Sequence, residues 1–460
     1  MAAAPALGVL MVPVGHAPKG VAVGPTGRRA YVANSGSGTV SVIDTGSLTV
    51  TTAFGPVAAP AAVASVPESV APGVLDALLY VADSGSDTVT VVDRTSYQTV
   101  GSVAVGVDPF AVVVGPNGLR AYVTNSGSDT VSVIDTLTNT VQTTISVGHK
   151  PADIAVHPDA FEVYVANQQS DSVSVIDRIT DTVTTTITGL SAPTGLAVTP
   201  DRTQLYVANG ASNSVAVVDT ASHAVVATIP VGTRPWGVAI APDGRRAYVT
   251  NNGSDTVSVV DTATRTVVAT QAVGRQPTGV TAAPTGLQVI VANSASDTVS
   301  VLHVLNAMSP NRGPMTGGTT VTITGTNLAG ATRVMFGSVP GTILANTAYQ
   351  VVAASPPGAG VAQVTITTPG GTSNPKPFFY YPGGDLHGLQ PLSGSVTGGN
   401  SVTISGDGLD TASRVYFGSI PAVPRMITSE EMEVVAPPAI EAGMVPVSVT
   451  TAGGTTAGLA

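Results

Sequence analysis

The chain has 460 residues, of which only 10% are charged, and carries an acidic excess of −10. That length exceeds what one hydrophobic core organises, so two or more domains are expected. The acidic balance argues against non-specific nucleic-acid binding, and the absence of cysteine removes disulfides and thiolate sites.

The first seven residues, Met1 to Leu7, have no basic flank, and Pro5, Gly8 and Pro13 interrupt the apolar run that follows. The segment is therefore a poor export signal, and no apolar run approaches the roughly 18–20 residues of a transmembrane helix. With 51 Gly and 34 Pro among many Val and Thr, the composition favours short strands and tight turns.

A short phrase then recurs. Tyr31-Val32-Ala33-Asn34 returns at Tyr80, Tyr122, Tyr164, Tyr206 and Tyr248, and finally as Ile290-Val291-Ala292-Asn293; five of the six intervals are 42 residues and the first is 49. Each repeat contains four β-like segments, as in Trp236–Ile240, Arg246–Thr250, Thr256–Val260 and Thr266–Thr270, with turn residues between them. A period in the low forties with four strands per unit predicts the blades of a β-propeller. The seventh unit lacks a fourth strand. Val9–Gly15 aligns with Val226–Gly232, the end of the fifth unit, so the N-terminal strand is expected to complete the last blade and close the ring. By phrase, period and closure, roughly residues 7–305 of a propeller domain expected over 1–305 resemble the YVTN-type β-propeller repeat family. The resemblance implies a seven-bladed ring and an extracellular or cell-surface setting.

Every loop that enters a blade carries a proline: Pro18, Pro60, Pro109, Pro151, Pro193, Pro235 and Pro277. These read as rigid turns at the mouth of the central channel. The residues beside them vary, and that variation marks a candidate ligand site: Trp236, Phe110, Arg234, Arg275, Lys150, His149, Asp153 and His16, with Lys19 and Asp108 nearby. Trp236, the sole tryptophan, lies three blades from Phe110. An aromatic ringed by cations could stack on a sugar or grip an anionic group, whereas the plainer reading is a plug over the channel. Asp87, Asp129, Asp171, Asp255 and Asp297 recur in the turn between second and third strands, where each is expected to bond its own backbone. Asp44, Asp93, Asp135, Asp177, Asp219 and Asp261 are expected to cap turns on the opposite face.

After the propeller, Thr316-Gly317-Gly318, Val321-Thr322-Ile323 and Phe336-Gly337 recur 81 residues later as Thr397-Gly398-Gly399, Val402-Thr403-Ile404 and Phe417-Gly418. These motifs resemble the IPT/TIG family, which implies immunoglobulin-like β-sandwiches over residues 306–382 and 387–460. The first copy ends in Pro377-Phe378-Phe379-Tyr380-Tyr381; the second reaches Ala460 before an equivalent strand.

The fold class expected is all-β, a seven-bladed β-propeller followed by two immunoglobulin-like sandwiches. The leading functional expectation is a non-catalytic binding or display module for a protein or carbohydrate ligand, with no catalytic residue, metal or cofactor assigned. Two alternatives stand beside it. One is a metal-dependent lactonase or lyase using His149 and Asp153, and the other is a purely structural cell-envelope component. The propeller has only two glutamates for such chemistry, Glu68 and Glu162.

Overall fold

The computed structural model describes residues 9–67, 78–158, 161–284, 288–303, 305–325, 328, 330–347, 350–368, 371–373, 375–381, 385–425, 427–451, 454–456 and 458–459. Among them the chain is all-β apart from one turn of 3-10 helix, and no helix is long and apolar enough to cross a membrane. It divides into two units, Met1–Val304 and Leu305–Ala460.

The first unit is seven antiparallel four-stranded sheets. Blade 1 runs Pro18–Val23, Arg29–Asn34, Thr39–Asp44 and Thr49–Phe54. The second and third strands of each blade are buried on both sides, because each blade packs face to face with its neighbours. Tyr31, Tyr80, Tyr122, Tyr164 and Tyr206 are fully enclosed. This explains why these strands read as continuous Val-rich runs rather than alternating ones. The outermost strand, such as Thr182–Ile187, alternates exposed and half-buried residues. The cores lie between blades: Tyr80 of blade 2 packs with Ala121, Val123 and Ile134 of blade 3. Polar tips find partners across such seams, with Tyr80 Oη donating to Asn139 Oδ1 of blade 3 at 2.7 Å and Arg178 Nε of blade 4 donating to Tyr122 Oη of blade 3 at 2.7 Å.

Blade 7 takes its outer strand from the start of the chain. Val9–Pro13 pairs with Thr298–His303, from Val9 opposite Leu302 to Pro13 opposite Thr298. Val12 enters a core with Ile290, Val299 and Val301 of blade 7 and with Ala30, Val32 and Ile43 of blade 1. The ring is therefore closed by backbone pairing between segments nearly 290 residues apart.

The second unit holds two sandwiches. In the first, Val339–Asn346 pairs with Gln350–Ala354 through its C-terminal half and with Arg333–Phe336 through its N-terminal half, so this one long strand passes from one sheet to the other. Phe336, Phe378 and Tyr380 form its aromatic core, with ring centroids 5.1 Å and 5.0 Å apart along the chain of contacts. The second sandwich has two four-stranded sheets around Val402, Ile404, Val415, Met432, Val434 and Val449.

Candidate functional site at the channel mouth

Each innermost strand starts at its proline and carries a register shift within the next two or three residues, as between Pro109 and Ala111 or Pro235 and Val238. A bulge there lets the residue after the proline face the channel. The next position is nearly always Gly or Ala, because neighbouring inner strands crowd together. A Cβ on Gly195 would lie 2.3 Å from the Trp236 carbonyl oxygen, and one on Gly279 would lie 2.5 Å from that of Lys19. The outcome is a cavity of about 460 Å³ at the axis of the ring, bordered by all seven blades.

Phe110 and Trp236, three blades apart along the chain, meet across this cavity with ring centroids 6.4 Å apart and planes at 54°. Lys19 from blade 1 and Asp153 from blade 4 contribute its charges, and Thr194, Asn252, Thr278 and Ser294 its neutral polar side chains. Asp153 occupies the position that is otherwise Gly or Ala. Its Oδ2 accepts a bond from Leu196 N–H in the next blade at 2.8 Å, and its Oδ1 accepts one from Ile154 N–H at 2.8 Å. Asp153 keeps partial exposure to the channel, yet the protein packed around the carboxyl pushes its pKa up to about 6 despite those two bonds.

The remaining candidates do not line this cavity. His16, His149, Lys150, Arg234 and Arg275 are exposed on the rim loops that precede the prolines. His149 Nδ1 pairs with Asp129 Oδ2 at 2.7 Å, and His16 Nδ1 with Asp297 Oδ2 at 2.8 Å. His149 and Asp153 thus have separate partners.

The recurrent turn aspartates differ from expectation. They accept bonds not from their own turn but from the rim loop 21 residues on. Asp87, Asp129, Asp171, Asn213 and Asp255 receive the N–H of Asp108, Lys150, Ala192, Arg234 and Gln276, and Asp297 receives that of Ala17 across the ring closure, all at 2.7–3.0 Å. Both ends of each bond are left-handed: the donors have φ of 44–53° and the acceptors 49–58°. Asp and Asn tolerate that region and present an oxygen there, whereas blade 1 uses Gly38. These bonds, followed by the histidine contacts, hold Asp129 and Asp297 below the usual carboxylate range. On the opposite face the aspartates ending the third strands do cap their own turns; Asp177 Oδ1 accepts from Ile179 N–H and Thr180 N–H, both at 2.8 Å.

Among the described residues, no three His, Asp or Glu side chains converge as a metal site. Glu68 lies outside those residues. Glu162 is on the face away from the prolines, accepting from Tyr164 Oη at 2.5 Å and pairing with His223 Nε2 at 3.2 Å. Sequence reasoning named Lys19 without placing it in the site; its position directly after a proline was the available signal.

Comparison with known proteins agrees with this architecture. The IPT/TIG domain family model matches residues 304–380 and 386–460. A YNCE-like beta-propeller model matches 119–215, and the lactonase, 7-bladed beta-propeller model matches 196–311. Among solved structures, a chain of Kuenenia stuttgartiensis hydrazine synthase is similar at 23% identity with a TM-score of 0.57, over 66% of this chain and 97% of that one. At that identity the likeness speaks to fold alone. No curated protein matches the chain.

Proposed function

We propose that this seven-bladed propeller with two IPT/TIG domains is a non-catalytic binding module whose ligand enters the channel mouth. The observation that carries the reading is the contact of Phe110 and Trp236 from opposite sides of the ring, over a cavity that also holds Lys19 and Asp153. Two aromatic faces with one cation and one carboxyl suit a sugar or a short peptide: the rings supply apolar contact, and the polar groups fix orientation. The two sandwiches then serve as spacers, and the setting is the cell surface or exterior, as the YVTN-type and IPT/TIG resemblances imply.

A thermal-shift screen of the full chain against cell-wall sugars, short peptides, lactones and divalent metals tests the reading. A ligand at a hundredfold excess over its dissociation constant adds roughly 2.7 kcal/mol to the stability of the unit it binds. The expected result is a shift with a sugar or peptide that disappears in Trp236→Ala. A broad panel without any shift leaves a structural role as the better account.

The lactonase-type match over 196–311 favours one second reading, a propeller hydrolase. Lactone turnover that requires a divalent metal and falls in Asp153→Asn would establish it. The separate partners of His149 and Asp153 weigh against that pair as its machinery.

A further inference from the structure

Of the seven residues that directly follow the inner-strand prolines, only Lys19, Phe110 and Trp236 are large; the others are Ala or Thr. Inner strands neighbour one another in chain order, and blade 7 returns to blade 1. The contact of Phe110 with Trp236 therefore spans the ring from blade 3 to blade 6 and parts the mouth into two arcs. The shorter arc holds blades 4 and 5, with Asp153. The longer holds blades 7, 1 and 2, with Lys19.

The two charges are not equally available. Both oxygens of Asp153 accept backbone N–H bonds, and Thr194 in the same arc donates its hydroxyl to the Pro235 carbonyl at 3.1 Å. In the longer arc, Thr278 donates to the Lys19 carbonyl and Ser294 to the Gln276 carbonyl, both at 3.0 Å. Two groups remain. Lys19 is half-buried, and among the described residues no carboxylate pairs with its ammonium. Asn252 is also half-buried and reaches from blade 6 towards blade 7, where its Nδ2 donates to the Pro277 carbonyl at 3.2 Å. That bond fixes the amide and leaves Oδ1 without a donor among the described residues. The turn aspartates of this face do not line the cavity, and each accepts a rim N–H instead. The longer arc thus offers one free cation in a wall otherwise made of acceptors and apolar surface.

Resting on the channel-mouth reading above, we propose that the ligand is a carboxylate-bearing sugar seated in the longer arc. Its ring lies against Trp236, its carboxylate meets Lys19, and a hydroxyl donates to Asn252 Oδ1. A half-buried ammonium without an internal counter-ion is best satisfied by an anion, through a charge-assisted hydrogen bond. The acceptors around it call for donors: Asn252 Oδ1 and the lone pairs of the Thr278 and Ser294 hydroxyls suit a molecule with several O–H groups. The indole supplies apolar contact to the C–H face of the ring. A cavity of about 460 Å³ lies in the range of roughly 300–1,000 Å³ that holds small ligands. A peptide ending in a carboxylate brings the same charge, but its amide carbonyls need donors, and the hydroxyl donors of this arc are engaged.

Trp236 is the sole tryptophan, so its emission reports on this site in the full chain. Titration with sodium galacturonate and sodium glucuronate should shift that emission, with dissociation constants about tenfold below those of galactose and glucose. The advantage of the acids should shrink in high salt. Lys19→Met should bring the acids down to the level of the neutral sugars, whereas Lys19→Arg, which keeps the charge, should preserve most of the preference. Acidic and neutral sugars binding alike overturns the proposal and leaves the channel-mouth site standing. N-acetyl-Ala-Ala binding more tightly than either acid also overturns it, by giving the longer arc to a peptide terminus. Emission unmoved by any sugar or by the peptide overturns both the proposal and the reading on which it rests.

Discussion

Blade 7 of the propeller and the first sandwich both add a last strand to a sheet edge, one from a distant segment and the other from a neighbouring one. In blade 7, Val9–Pro13 arrives from the far end of the unit and occupies the edge. In the first sandwich, Lys376–Tyr381 follows shortly after its antiparallel partner Val361–Thr368. The two edges have similar chemistry. Closing a ring places every blade under the constraint of its neighbours, whereas a sandwich edge closed by neighbouring sequence constrains only its own domain.

The sharpest way to break this contrast is to open the ring. Deleting residues 2–14 removes the blade 7 edge strand and the Val12 contact. About 1 kcal/mol for each lost ladder bond and about 2–3 for Val12 give a loss on the order of 5 kcal/mol. The propeller's calorimetric transition should fall by about 10–20 °C, while that of the sandwiches stays in place. A fall confined to a degree or two would show that closure is dispensable.

A pair of equivalent substitutions sharpens it next. Gly195→Val drives a side chain against the Trp236 carbonyl, part of a backbone that the ring fixes, and should cost about 1–3 kcal/mol by denaturant unfolding. Gly394→Val meets only the Asn400 side chain and should cost less than about 0.5 kcal/mol.

The smallest effect expected is pH-dependent. The folded Asp153 carboxyl titrates at about 6, above the value it has in the unfolded chain. The native state thus keeps a proton that the unfolded chain has already lost, and this group's contribution to stability declines as pH rises from about 4 through 6. Asp153→Asn should flatten that part of the curve of melting temperature against pH. A variant that leaves the slope unchanged would show that the carboxyl titrates normally.

Much of the fold was legible because it is written in repetition. The near-constant spacing of the tyrosines, the proline that opens each inner strand and the likeness of Val9–Gly15 to Val226–Gly232 each report a backbone requirement of the repeated blade. The channel was less legible. That Phe110 and Trp236 lie three blades apart follows from counting. That their rings meet depends on how narrow the bulges and the Gly/Ala positions make the ring. The turn aspartates misled because a tight-turn Asp normally satisfies its own backbone. Nothing local to Asp129 shows that the N–H of Lys150, 21 residues on, comes within 2.8 Å. Asp153 is a candidate because it lies beside a proline at the mouth, yet both its oxygens are engaged, Oδ2 with Leu196 N–H of blade 5 and Oδ1 with Ile154 N–H of its own strand.

The N-terminal closing strand also sets a timetable. Six blades are built from neighbouring sequence and can assemble in order as the chain is made, but Val9–Pro13 precedes all of them and its partner Thr298–His303 follows nearly 290 residues later. At synthesis rates of about 5–20 residues per second, that wait is roughly 15–60 s. During it, Val9, Leu10, Met11 and Val12 travel as an unpaired apolar ribbon, so the latch that secures the finished ring is the last of the propeller's strands to find its place.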